Sequence, residues 1–320
     1  MVIVSVAICT WNRASLLRRT LERFCEVAGT MPISWELLVV DNNSTDDTQS
    51  VLAEFASRLP LRTAFEPVAG LAVARNTAIR EAKGSFLLWT DDDVIVGERW
   101  VPALLEGFQD RKADWVMGRS RASWEAGVPD WFSSRLAGYF ALLDYGDEPF
   151  MVTDRNHPSY GLNFGCRRDA LLELGPFRAD LGPRETGGGG GEDTDMFERA
   201  LDAGLRIWYL PAAEVLHIIP PERSTKQLQR HKAWSAHEAY YGWLRETAPD
   251  APRIAGIPRY MYRYALQDVA AYCSATIKRD PATAFFHELR LLRFAGVLYE
   301  AGRRAAQQVR GGRGGAATVR

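Results

Sequence analysis

A chain of 320 residues that is 47% hydrophobic and 25% charged holds one large or two ordinary globular domains with a real buried core. With 39 Lys and Arg against 40 Asp and Glu it is no simple polyelectrolyte binder, and no nucleic-acid partner is expected. The balance is uneven, however: residues 1–220 carry 22 basic and 32 acidic side chains, net −10, whereas 221–320 carry 17 and 8, net +9, so charge marks a boundary near Pro220 and Pro221.

The N-terminal run at 2–8 is apolar at once and lacks a basic leader, so it reads as a buried strand and not as a signal peptide. Apolar runs at 36–40 and 85–89 predict further strands, and the helically spaced stretches 15–27, 46–58 and 71–82 predict crossover helices. Alternation of this kind over about 1–118 implies an α/β fold with a mostly parallel sheet covered on both faces and ligand sites at the carboxyl ends of its strands. Those ends are polar: Thr10-Trp11-Asn12-Arg13, Asp41-Asn42-Asn43-Ser44 and Thr90-Asp91-Asp92-Asp93.

Residues 119–192 are less regular, with a helix predicted near 131–143 and a strand at 160–166. Five glycines follow at 187–191, a run with no backbone preference of its own. Glu192-Asp193-Thr194-Asp195 then opens an amphipathic helix that runs through Ala203 to a Gly204 cap, and a last strand at 206–210 leads to Pro211 and His217. Past Pro221 the chain is helical and Arg-rich to about Gln308. The expected division is a domain at 1–220, a helical basic region at 221–310 and a disordered tail at 311–320. Four widely spaced cysteines without a CxxC pair argue against disulfides or structural zinc and fit a reducing, cytoplasmic location. No window reaches the roughly 18 apolar residues of a membrane span, so any contact with the inner face of a membrane is peripheral.

Three consecutive aspartates after an apolar strand oppose folding unless a cation neutralises them. Oxygen ligands favour a hard divalent ion, Mg²⁺ or Mn²⁺, held together with substrate phosphates. In an extended stretch Asp91 and Asp93 face one side and Asp92 the other, which puts Asp91 and Asp93 with the metal; a solvated acidic turn or helix cap is the competing account. Asp41 suits a ribose hydroxyl or base N–H, or else caps the helix after Ser44. Arg13 and Arg75 are candidates for phosphate or base contacts, or surface arginines. At the start of a helix, Glu192 and Asp193 serve as caps or as a general base beneath a glycine-hinged lid. His217 is a packed histidine or an additional metal ligand.

Together these residues resemble the family-2 glycosyltransferases of the GT-A fold. The resemblance runs from about Val2 to His217 and rests on six elements in order. They are Val4 to Arg13; Val39-Val40-Asp41-Asn42-Asn43-Ser44; Gly70-Leu71-Ala72-Val73-Ala74-Arg75-Asn76; the triplet Asp91-Asp92-Asp93; Asn163 to Leu171 with Gly175-Pro176-Phe177; and Gly191-Glu192-Asp193-Thr194-Asp195 with Tyr209-Leu210-Pro211 through His217.

The resemblance implies a Rossmann-like mixed, mostly parallel sheet flanked by helices, and transfer of a sugar from a nucleoside diphosphate donor, UDP by frequency in the family. It implies that Thr10, Asp41 and Arg75 hold the base and ribose, with Arg13 and Asp92 on the donor side. Asp91 and Asp93 would bind the Mg²⁺ or Mn²⁺ that bridges the diphosphate, with His217 completing the metal site. Asp193 would be the catalytic base beside Glu192, and Asn163 and Arg167 would line the donor-sugar and acceptor side. Trp11 replaces the commoner Tyr, and the glycine run is longer than usual. A single carboxylate base predicts inversion, since retention by double displacement needs a second, nucleophilic carboxylate.

The basic helices after Pro221 lie outside this resemblance. They are expected to pack on the first domain, to form a homodimer, or to sit on an anionic membrane beside a lipid-linked saccharide acceptor. A phosphotransferase of the HAD type would need a supporting lysine, and Lys83 is the nearest of only five. A non-catalytic nucleotide-sugar-binding protein would not need both the aspartate triplet and Glu192-Asp193. A sugar-nucleotide pyrophosphorylase would carry a glycine-rich phosphate loop where this chain has Thr10-Trp11-Asn12-Arg13.

Overall fold

The computed structural model describes residues 3–31, 33–182 and 190–314. They form two compact units, one from 3–125, 137–182 and 191–220 and the other from 126–136, 190 and 221–314. The stretch 126–136 belongs to the second unit, although the sequence reading keeps it within a 1–220 domain.

In the first unit the chain runs β1 (Val4–Thr10), α1 (Ala14–Val27), β2 (Trp35–Asp41), α2 (Thr48–Phe55), β3 (Leu61–Phe65), α3 (Leu71–Glu81), β4 (Phe86–Thr90), β5 (Val94–Val96), α4 (Trp100–Asp110) and β6 (Trp115–Trp124). It continues through β7 (Phe150–Val152), β8 (Asn163–Arg167), α5 (Arg168–Leu174), α6 (Glu192–Asp202) and β9 (Ile207–Ile219). Among the described residues the strands form one nine-stranded sheet in the order β3-β2-β1-β4-β8-β6-β9-β5, with β7 paired to β9. Strands β1, β2, β3, β4, β6 and β9 run one way and β5, β7 and β8 the other, the mixed, mostly parallel sheet expected from the repetition of strand and helix.

Two-residue periodicity decides which core each strand residue enters. Val4, Val6 and Ile8 of β1 pack with Leu17, Leu21 and Phe24 of α1 on one face, whereas Ala7 of β1 and Leu38 and Val40 of β2 pack with Ala74 and Ala78 of α3 on the other. Both faces being covered, these strands read as continuous apolar runs and not as alternating ones. From β1 the chain moves outward to β2 and β3, then returns to lay β4 on the opposite side of β1. This reversal opens a crevice at the carboxyl ends of β1, β2 and β4, where open α/β sheets bind ligands.

Several elements differ from expectation. The helix predicted near 131–143 is a 3-10 turn at Ser134–Phe140, and the strand at 160–166 is β8. The strand predicted at 206–210 continues through Pro211 to Ile219. It can do so because its register against β6 jumps from Gly118–Leu210 to Ser120–Val215, looping out 211–214 where a missing N–H forfeits no ladder bond. Of the glycine run, 187–189 lie outside the described residues.

The second unit contains α7 (Lys226–Ser235), α8 (His237–Thr247), the short pair β10 (Arg253–Ile254) and β11 (Ile257–Pro258), α9 (Arg259–Ile277) and α10 (Pro281–Gly314). Tyr241, Leu244, Ile257, Met261, Val297 and Ala301 share its core. Asp268, the acidic residue of α9, is buried and accepts hydrogen bonds from His287 Nδ1 at 2.7 Å and Arg290 Nε at 2.8 Å. Helix α10 runs to Gly314, past the 311 start predicted for the tail, and 315–320 lie outside the described residues. Among the described residues no helix is long and apolar enough to cross a membrane, and the four cysteines are unpaired thiols.

The turn into β4 approaches β1 so closely that a Cβ on Gly84 would stand 2.4 Å from the Ser5 nitrogen and 2.6 Å from the Val4 carbonyl carbon. Backbone cannot give way as a flexible side chain does. Gly84→Ala should therefore lower stability by about 1–3 kcal/mol, read as a lower denaturant midpoint at unchanged slope. An unchanged midpoint would mean that the approach tolerates a methyl group.

Candidate active site

The crevice is built from three strand ends. After β1, Asn12 takes a left-handed conformation (φ 51°), donates its N–H to Ser44 Oγ at 3.0 Å and accepts from Thr45 N–H at 2.7 Å, tying this loop to the one that follows β2. Asp41 is buried at the end of β2, where its carboxylate accepts from Ser44 N–H at 3.0 Å and from the Gln49 amide. It thus shapes its own loop; α2 has Asp47 at its N-cap position, so Asp41 is not the helix cap offered as the alternative to a ribose or base contact. Asn42 accepts from Gly70 N–H at 2.8 Å and donates to the carbonyls of Glu66 and Val68 at 3.0 and 2.7 Å, so one amide fixes the 66–70 loop. Sequence reasoning gave Asn42 no role, although an amide directly after a strand is a common loop clamp. These loops enclose a pocket of about 210 Å³ lined by Thr10, Trp11, Arg13, Asn42, Leu71 and Asp92 among others, with Trp11 partly exposed.

The aspartate triplet lies in a turn between β4 and β5, not in the extended stretch from which opposite facings were expected. Asp92 and Asp93 both turn inward, and Arg13 Nη1 donates to Asp92 Oδ1 at 2.9 Å and to Asp93 Oδ2 at 3.1 Å. Thr10 Oγ1 adds a bond to Asp92 Oδ2 at 2.7 Å. Asp91 is the member left one-third exposed. Burial pushes the Asp92 carboxyl up to about 6 against the pull of Arg13, and burial also raises Asp91 against the pull of Arg75.

His217 sits inside β9, opposite Val94 of β5, and is buried. Its Nδ1 donates to the Phe140 carbonyl at 2.7 Å, which fixes the ring and aims Nε2 at Asp93 Oδ2, 3.4 Å away. A carboxylate oxygen and an imidazole nitrogen facing one another favour a cation between them. Among the described residues no three such side chains already stand at ligand positions. The donor set of Asp91, Asp93 and a tethered imidazole nevertheless fits a hard divalent ion that takes its other ligands from phosphate and water.

The second acidic site starts α6, after Gly191 in the left-handed conformation (φ 88°). Glu192 is buried and its Oε1 accepts from Arg75 Nη1 at 2.6 Å. Arg75 in turn lies over the Phe177 ring at 5.5 Å, with Nη2 3.9 Å from Asp91 Oδ1. Asp193, half-buried, accepts from Gly161 N–H at 2.9 Å and Thr194 N–H at 2.8 Å. The guanidinium fills the space beside Gly161, where a Cβ would come within 1.9 Å of Arg75 Nη2.

Three placements correct the sequence reading. Arg75 is 2% exposed and joins Asp91 to Glu192, so it braces carboxylates instead of lining the base and ribose pocket. Asn163 is buried with its amide fully used: it accepts from Trp100 Nε1 at 2.8 Å and donates to the Arg119 and Ala213 carbonyls at 2.8 and 2.9 Å. It locks α4, β6 and β9 together and offers nothing to the crevice. Arg167 lies at the far end of the sheet, because β8 runs antiparallel to β4 and pairs Arg167 with Phe86 and Asn163 with Thr90. Its Nε donates to the Ala113 carbonyl at 3.3 Å.

A reversed strand order over a crevice is common to open α/β sheets, and solved glycosyltransferases of the GT-A class share this fold. The mannosyltransferase PcManGT from Pyrobaculum calidifontis, solved with GDP-Man and Mn²⁺, superposes with a TM-score of 0.56 at 18% identity, over 97% of this chain and 79% of its own. GalNAc-T7, solved with UDP, GalNAc and Mn²⁺, gives 0.53 at 18% identity, over 79% of this chain and 52% of its own. The family model described as glycosyl transferase family 2 matches residues 5–175, and the chain belongs to that family. Among curated relatives, the succinoglycan biosynthesis protein ExoM of Rhizobium meliloti (strain 1021) is 28% identical over 225 residues, 69% of each chain. The chain is accordingly a glycosyltransferase.

Three carboxylates, Glu192, Asp91 and Asp193, surround the Arg75 cation, and burial with Asp193 nearby raises Glu192 to about 7. A carboxyl raised in the folded state binds its proton more tightly there than in the unfolded chain, so stability falls as pH rises from about 4.5 to 7. Glu192→Gln should flatten that slope, worth on the order of 1–3 kcal/mol, in thermal melts of the ligand-free protein. Parallel slopes for variant and parent would remove Glu192 from this role.

Proposed function

We propose that the chain transfers a sugar from a nucleoside diphosphate sugar, UDP-linked in the first instance, to a hydroxyl of a saccharide, lipid-linked or natural-product acceptor with inversion at the anomeric carbon. The observation that carries the reading is the Arg75 bridge, which ties the donor-side Asp91 to the helix that presents Asp193. Support for the donor comes from the neighbours of the same fold, which were solved with GDP-Man or UDP and with Mn²⁺. A saccharide acceptor accords with the succinoglycan role named for ExoM.

In this reading Asp91, Asp93 and His217 would hold Mg²⁺ or Mn²⁺, whose chemistry is to neutralise the charge that gathers on a leaving diphosphate. Trp11 and Asn42 line the wall of the pocket that receives the base, and Arg13, at its rim, offers a guanidinium to phosphate oxygens. Asp193 takes the proton from the acceptor hydroxyl, helped in orientation by the Gly161 and Thr194 N–H groups. The acceptor oxygen forms its bond to the anomeric carbon as the bond to the diphosphate breaks on the opposite face, and the electron pair leaves with the diphosphate. Glu192, sealed against Arg75, is not available as a nucleophile, which favours one displacement over two.

Asp193→Asn should lower transfer by about 10²–10⁴-fold while leaving metal-dependent nucleotide binding intact. Normal turnover of that variant would remove Asp193 as the base. Thermal shift against UDP, GDP and dTDP, with and without Mn²⁺, should show stabilisation by UDP only when Mn²⁺ is present. Preference for another diphosphate would reassign the base, and indifference to all three would remove the donor reading.

A further inference from the structure

Helix α9 is apolar on two sides. Met261, Asp268 and Ala275 mark the side that packs along α10 in the second unit. On the opposite side Leu266, Ala270, Cys273 and Ile277 recur at intervals of four, three and four residues and so form one stripe, flanked by Val269. That stripe is open: Leu266 is 72% exposed and Ile277 83%, and Cys273 is exposed. Two large aliphatic side chains at such exposure, joined by Ala270 and Cys273 and flanked by Val269 at 47%, make a continuous apolar strip open to contact.

The ends of the stripe are cationic. Arg259 and Arg263 lie exposed at its N-terminal end and Lys278 and Arg279 at its C-terminal end. Tyr260 and Tyr264 stand beside the first pair, with the Arg263 guanidinium 5.4 Å from the Tyr264 ring. No carboxylate of α9 reaches this side, because Asp268 is turned inward onto His287 and Arg290. Asp280, just beyond the helix, accepts from Thr283 N–H at 3.0 Å as the cap of α10.

We infer that this face of α9 seats the protein on an anionic lipid surface. Apolar side chains would enter the headgroup boundary, tyrosines would sit at its level, and the arginines and lysine would meet lipid phosphates. A second copy of the chain fits less well. Two α9 helices packed along the stripe set Arg259 and Arg263 against their counterparts when parallel, or against Lys278 and Arg279 when antiparallel, cation on cation either way. A nucleic acid would find phosphate partners but nothing to cover the aliphatic row.

The test is sedimentation of the full chain with vesicles of phosphatidylcholine alone or mixed with phosphatidylglycerol, alongside light scattering for mass. Binding should require phosphatidylglycerol, weaken as salt rises, and fall more than about tenfold in Leu266→Glu/Ile277→Glu. Both positions are exposed enough for the variant to keep its fold, which its thermal melt checks. Leu172→Glu, an exposed leucine of the first unit, serves as control and should bind like the parent. Absence of binding to anionic vesicles, equal binding to neutral ones, or retention by the double variant would overturn the inference. So would a dimer that the double variant dissociates, which would give the stripe to a second copy. Vesicle binding needs neither donor nor metal, so its failure leaves the sugar-transfer reading untouched.

Discussion

The first unit is organised around a local excess of negative charge. Asp91, Asp92, Asp93, Glu192 and Asp193 are drawn to one edge of the sheet, and Arg13 and Arg75 answer them from β1's end and from α3. Burial and the neighbouring carboxylates lift Asp92 and Glu192 against the pull of these two arginines. Parallel strands impose the crowding, since all of them deliver their loops to one end.

The two arginines divide the work by exposure. The Arg13 side chain is 42% exposed, so water and phosphate oxygens can compete with Asp92 and Asp93 for it. Arg75 is sealed between Phe177, Gly161 and Glu192 and has no such freedom. One guanidinium is thus exchangeable and the other is part of the frame. The Gly161 position belongs to that frame twice over, because its missing side chain admits the guanidinium and its N–H orients Asp193.

Much of this was legible in the sequence. The doubly buried strands β1, β2 and β4 announce themselves as continuous apolar runs, and the polar residues that end them mark the crevice. Thr10, Arg13, Asp91, Asp92, Asp93, Glu192, Asp193 and His217 all come to it or to the network behind it. The half-buried β3 and the three-residue β5 and β7 carry too little pattern to be seen. The direction of β8 could not be read either, because a short apolar run has the same composition whichever way it lies. That hidden direction is what sent Arg167 to the far end of the sheet, whereas Asn163 stays at the crevice end and is taken up by Trp100, Arg119 and Ala213. Burial was equally hidden for Arg75: arginine in a helix reads as a surface residue until the carboxylates around it are placed.

The looped-out segment 211–214 in β9 has a consequence for how the imidazole is held. Ile207 to Leu210 keep register with β6 as part of the core, whereas Val215 to Ile219 take a separate register from β6 and β5. The loop between them is not slack, because the Ala213 carbonyl accepts from Asn163 Nδ2 at 2.9 Å and the Glu214 carbonyl from Gly97 N–H at 3.0 Å. These two anchors pin the point from which the second register starts, so that His217, set between Val94 and Ala122, keeps its aim at Asp93. A change in the length of 211–214 has to break one anchor or the other, and the cost falls on the half of the strand that carries the imidazole.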